Sequence, residues 1–186
     1  FSSIPFELTY CLESALSDWM PSDHGNYIIT TALRPELFCF SLTSVADRFG
    51  QINSLYGIDF NFDLIRISLS KYLAHDYLYN IVLYHELGHF IDHYHSISLK
   101  LVQYVLMQYQ TLNTPQQLRS FGEFFPYLLD SNGTVDWTVL GRAEISQAAY
   151  AHMMEYFADL FAAQYIGSGA QEVLRYLTFP YLDNTS

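Results

Sequence analysis

The 186 residues predict an α+β fold, mostly helical with one small sheet, on three observations. Residues 64–70 alternate, with Ile65, Ile67 and Leu69 on one side and Arg66, Ser68 and Ser70 on the other, the period of a half-buried strand. Residues 142–165 are rich in Ala, Glu, Gln, Met and Leu without Pro or Gly, the strongest helix propensity in the chain. Residues 76–95 carry Tyr77, Ile81, Tyr84, Leu87, Phe90 and Ile91 at helical spacing, so a further helix is expected there, with the sheet packed on it.

The remaining elements follow in order. Residues 4–20 place Phe6, Tyr10, Ala15 and Trp19 at helical spacing beside Leu8, Leu12 and Leu16, and the helix ends before Pro21. A turn cluster, Pro21 to Asn26, leads into two short strands, 27–33 and 37–42, separated by Arg34-Pro35-Glu36. A short helix is expected within 44–56, closed by Gly57-Ile58-Asp59. The strand at 64–70 reads either as an edge that aligns an extended peptide or, about equally, as a plain internal strand. Asp76 fits the cap of the helix that follows. Helices are expected at 99–112 and from Thr114-Pro115, the latter broken at Phe124-Phe125-Pro126. Asp130 to Gly133 reads as a turn, Gly167 closes the long helix, and 172–177 forms a last short helix before Pro180. With no internal repeat or linker, the whole chain reads as one domain, 1–186, in which 1–20 fits an accessory helix. Because it begins at Phe1, the chain is also read as a possible piece of something longer.

Composition narrows the function classes. The net charge is −11 with only eight Lys and Arg and no basic run, which argues against nucleic acid and anionic membranes as partners. No apolar stretch approaches the roughly 18–20 residues that span a bilayer. Cys11 and Cys39 form no metal-binding or redox pattern and read as small buried hydrophobes of a reducing compartment, so a cytoplasmic setting is expected. The sixteen Tyr and fourteen Phe suit a packed core, and the tyrosines suit a cleft as well.

The chemistry concentrates in His85-Glu86-Leu87-Gly88-His89. Two histidines four apart on a helix can close on one metal ion, and Glu86, about 100° round, can reach a water at that ion without ligating it. At this composition the pattern arises by chance about one time in a hundred. A catalytic zinc takes three protein ligands and keeps a fourth position open, so a third ligand is required. His95 stands ten residues after His85, the spacing of HExxHxxGxxH, but the glycine position holds Asp92 and no methionine turn is evident. Glu155 is the other candidate, in Glu155-Tyr156-Phe157-Ala158-Asp159, where Glu155 and Asp159 share a helix face.

His85-Glu86-Leu87-Gly88-His89 together with the downstream Glu-x-x-Ala-Asp resembles the gluzincins, HExxH zinc metallopeptidases. The resemblance covers these two helices. It implies a zincin-like fold, zinc held by His85, His89 and Glu155, and Asp159 hydrogen-bonded to a ligating histidine, His85. It further implies a zinc metalloendopeptidase that hydrolyses a protein or peptide substrate with Glu86 as general base. An alternative from another class is a catalytically silent zincin-fold sensor or protein-binding module, against which the intact Glu86 counts. Other domains of a longer chain are conceivable partners.

The neighbours have plainer readings. His93 reads as a surface group, and His24 and His75 as polar residues near turns. His152, three before Glu155, shares the ligand-bearing face but more often such a residue packs or meets solvent. The resemblance calls for an oxyanion donor, and Tyr104 and Tyr150 are among many candidates. Gly88 is expected to permit close approach of a strand or helix.

Overall fold

A computed structural model of the chain describes residues 6–34, 39–44, 53–58, 62–70, 82–109, 111–128, 132, 143–167 and 169. The expected cap at Asp76, the helix at 172–177, His75, and the 130–133 turn apart from Asn132 lie outside them. The described elements are helix α1 (Phe6–Trp19), strands β1 (Tyr27–Arg34), β2 (Cys39–Ser44) and β3 (Asp63–Ser70), and helices α2 (Val82–His95), α3 (Ile97–Tyr109), α4 (Pro115–Phe124) and α5 (Ala143–Ile166). The fold is α+β, mostly helical with a small sheet. The chain divides into two compact units, Phe1–Tyr94 with Ala158–Ser186, and His95–Phe157.

In the first unit the sheet is three-stranded and mixed, in the order β1-β3-β2. β3 runs parallel to β1 from Tyr27↔Asp63 to Arg34↔Ser70, and antiparallel to β2 from Cys39↔Ser68 to Ser44↔Asp63. Among the described strands 64–70 is therefore internal, which corrects the reading of it as an edge for a peptide. Alternation along a strand reports which face is buried; it carries no information on whether the backbone hydrogen bonds are taken. The edges among the described strands are β1 and β2. Ile65 and Ile67 are fully buried beside Ile29, as the alternation requires, but Ser68 on the opposite side is buried as well at 1% exposure, so β3 is not the half-buried strand expected.

Helix α1 turns Leu12, Ala15, Leu16 and Met20 inward, an i, i+3, i+4, i+8 stripe, while Tyr10 is 65% exposed. The buried face thus combines Leu12 and Leu16 with Ala15, and Tyr10 lies off it. Cys11 lies beside that stripe as an exposed free thiol, which corrects its expected burial. Its neighbours in sequence alternate in and out around the helix, so apolar character alone did not decide its side. Trp19 packs on Phe161 of α5 with ring centroids 5.7 Å apart, and the Tyr165 hydroxyl donates to Asp18 Oδ2 at 3.1 Å. Tyr27, the first residue of β1, meets Phe90 of α2 edge-on at 5.3 Å.

Helix α2 is buried on most sides, including Leu83, Leu87, Phe90 and Ile91. It ends at His95 because Ser96 takes a left-handed φ of 53°, a conformation that stops a right-handed helix and that Ser tolerates less well than Gly.

In the second unit, Thr114 and Gln117 form a reciprocal capping box and Pro115 occupies the first turn, so α4 begins where the sequence placed it. Val102, Phe125, Leu128, Ala149 and Met153 form the core of this unit. The long helix α5 ends at Gly167, whose φ of 61° allows its N–H to reach the Ala163 carbonyl at 2.8 Å.

One close approach organises the first unit. A Cβ added at Gly88 would lie 2.9 Å from Ala158 Cα and 3.1 Å from Phe161 Cβ. Helices α2 and α5 thus cross where each presents a glycine or alanine, and no larger residue fits at position 88 without moving backbone. In an unopposed helix interior, Gly→Ala stabilises by about 1 kcal/mol. Here the overpacking cost of roughly 1–3 kcal/mol should exceed that gain. Gly88→Ala is therefore expected to lower Tm by roughly 2–8 °C in a calorimetric or circular-dichroism melt. A rise in Tm would show that the crossing is not this close.

Candidate metal centre

Helix geometry delivers the first two side chains. His85 and His89 lie one turn apart on α2. Their rings meet edge to face at 4.6 Å, and their Nε2 atoms are 3.0 Å apart. Two ring nitrogens this close converge on one shared proton or one cation.

The α2–α5 crossing then fixes one of the two rings. Asp159 Oδ1 accepts a hydrogen bond from His85 Nδ1 at 2.9 Å. A proton held on Nδ1 leaves the Nε2 lone pair as the ligand atom and sets the orientation of the imidazole. Glu155 stands one turn before Asp159 on the same unbroken helix, so it shares that face. One ligand atom from each of His85, His89 and Glu155 lies within 4.8 Å of the others. Two imidazole nitrogens and a carboxylate oxygen are a donor set that suits a divalent transition-metal ion. The residues present thus fit a metal, and the group is compatible with an HExxH site.

Access is asymmetric. Glu86 and His89 are each only 8% exposed, whereas Glu155 is exposed and the Asp159 side chain is half exposed. The α2 side of the group is desolvated, and the α5 side opens to water.

The other candidates fall elsewhere. His95 is the last residue of α2, and the helix runs unbroken through Asp92. Six residues of helix carry it about 9 Å along the axis and about 240° round from His89. The structure does not bring it to the group; its carbonyl accepts a hydrogen bond from Lys100 Nζ at 2.8 Å. His93 is exposed, and His24 Nδ1 donates to the Pro21 carbonyl at 3.1 Å. Tyr150 packs against the second unit's core, and Tyr104 stands on the surface of α3.

His152 has a partner that sequence reasoning missed. The Tyr127 hydroxyl lies 3.1 Å from His152 Nδ1, and His152 stacks on Tyr156 at 4.7 Å. Burial, reinforced by Tyr156, pushes the Tyr127 hydroxyl up to about 12. It stays protonated at neutral pH, and the direction of its bond to Nδ1 follows the tautomer of His152. Tyr127 follows a proline in a short 3₁₀ turn, and no sequence pattern connects it with a residue 25 positions away.

Comparisons with family models, with curated proteins and with solved structures found no match to this chain.

Metal affinity should follow this geometry in a chelator-competition titration. Asp159→Ala is expected to weaken binding about 10–100-fold by releasing the His85 ring. Glu155→Ala should abolish stoichiometric binding, and His95→Ala should leave it unchanged. Retention in Glu155→Ala together with loss in His95→Ala would contradict the assignment.

Proposed function

We propose that this chain is a zincin-like, gluzincin-type zinc metallopeptidase that hydrolyses peptide bonds of a protein or peptide substrate. The observation that carries the reading is the grouping of His85, His89 and Glu155 with Asp159 bound to His85 Nδ1. A structural histidine pair has no need of a carboxylate behind one ring and a second carboxylate beside both. A buried acid next to the group, Glu86, completes what peptide hydrolysis requires.

His85, His89 and Glu155 would hold the ion. The chemistry that zinc supplies when bound is acidification of a water and polarisation of the scissile carbonyl. Glu86, one residue beyond His85 and about 100° round the helix, takes the proton as water attacks the carbonyl carbon. The C–N bond breaks as Glu86 delivers that proton to the leaving nitrogen. Asp159 keeps the His85 ring in one tautomer throughout. His152, three residues before Glu155 on the same face, is assigned as the donor to the developing oxyanion, with Tyr127 as its positioning residue.

Glu86→Gln should retain the metal and lose at least 10²-fold in kcat against a fluorogenic peptide library. His152→Ala should lower kcat by about 10²–10³. Tyr127→Phe should lower it by less, with KM little changed in either variant. A metal-replete, unmutated protein that cleaves no peptide would instead identify a binding module.

A further inference from the structure

The second unit carries a feature that peptide hydrolysis as such does not require. Between α3 and α4 lies a groove of about 510 Å³, within the roughly 300–1,000 Å³ range of ligand sites. Its walls are mainly aromatic, with Tyr104 and Tyr109 on one side and Phe121, Phe124 and Phe125 on the other. Its polar lining consists of amides and hydroxyls, among them Gln108 and Ser120, and among the described residues no charged side chain contributes to it. On a chain of net charge −11 this is a neutral, apolar surface. Tyr104 and Phe124 are each 55% exposed, so large rings stand in water at its rim.

The floor is packed. Phe121 and Phe125 sit 4.9 Å apart over the Val102–Leu128–Met153 core, and the void beneath is about 10 Å³. The groove is thus a shaped surface over a close-packed base and not a gap in the core. It also leads toward the ligand-bearing helix. Phe124 packs on Tyr156 at 6.4 Å, and Tyr156 is the residue after Glu155 and stacks on His152.

We infer that the groove binds an uncharged stretch of the peptide substrate rich in aromatic and aliphatic side chains, and that it selects substrates carrying such a stretch beside the cleaved bond. The inference rests on the metallopeptidase reading. Four features favour this occupant. The aromatic walls bury apolar side chains, and the amides can pair with the backbone of an extended chain. The missing charges leave nothing to compensate a buried Lys or Glu. The path through Phe124 and Tyr156 joins the groove to the residues assigned to the reaction.

The test uses the full-length, zinc-loaded protein and two fluorescent peptides of equal length. One bears a Leu-Tyr-Phe stretch, and in the other those positions are Ser-Lys-Ser. Anisotropy titrations with Glu86→Gln, which binds without cutting, should show the apolar peptide bound at least about tenfold more tightly. Tyr104→Ala and Phe124→Ala, both at exposed rims, should each weaken that binding several-fold and raise KM for the apolar peptide, with zinc content unchanged. Equal affinity for the two peptides, or no effect of either substitution, overturns the inference even if cleavage continues. Binding with the expected selectivity but no cleavage by the unmutated protein leaves the groove assigned and overturns the peptidase reading. Concentration-dependent dimerisation abolished by the same substitutions would give the groove to a second copy of the chain and also overturn the inference.

Discussion

The close crossing of α2 and α5 at Gly88 and Ala158 is the constraint on which the candidate site depends. The small residues at Gly88 and Ala158 let the two helices meet backbone to backbone, and beside that contact His85 and Asp159 form their 2.9 Å hydrogen bond. Once Asp159 is fixed, the helical period places Glu155 one turn away on the same face without any further device. The histidine pair is thus a matter of helical spacing within α2, while the hydrogen bond that orients one ring depends on the crossing. Gly88 lowers helix propensity in a helix that tertiary packing must then stabilise. The surrounding burial of Leu83, Leu87, Phe90 and Ile91 provides that stabilisation.

Local periodicity was legible in the chain, and three-dimensional pairing was not. α1, α3, α4 and α5 start and stop within a few residues of their caps and breakers, since Pro21, Thr114-Pro115 and Gly167 act on the backbone next to them. β3 lies where alternation put it, but its place between β1 and β2 depends on partners at a distance. The same divide runs through the site. His85 and His89 are related by one helical turn, a local fact. Choosing Glu155 over His95 needs the knowledge that α2 continues straight through Asp92, and that α5 returns to it. Gly88 and Ala158 each looked like ordinary small residues until both were seen at one contact. Tyr127 left no trace, because a side chain that orients another across 25 residues has no spacing rule. Cys11 and Tyr10 misled for a simpler reason: α1 has apolar residues on several faces, and only packing selects the buried one.

The two units divide the chemistry in an orderly way. The first holds the histidines, the buried acid and the carboxylate that orients a ring. The second holds Glu155, the Tyr127–His152 pair and an aromatic groove with no charged side chain among its described lining residues. Charged residues make up 15% of the chain, 19 of them acidic against eight Lys and Arg. Among the described residues no helix is long and apolar enough to cross a membrane.

Zinc K-edge X-ray absorption of the metal-loaded protein tests the central claim most directly, because it reads the ligands themselves. Two imidazoles and one carboxylate predict a nitrogen–oxygen shell near 2.0–2.1 Å with multiple scattering from two rings. Outer-shell scattering that requires three imidazoles would contradict the account, as would a failure to bind zinc stoichiometrically.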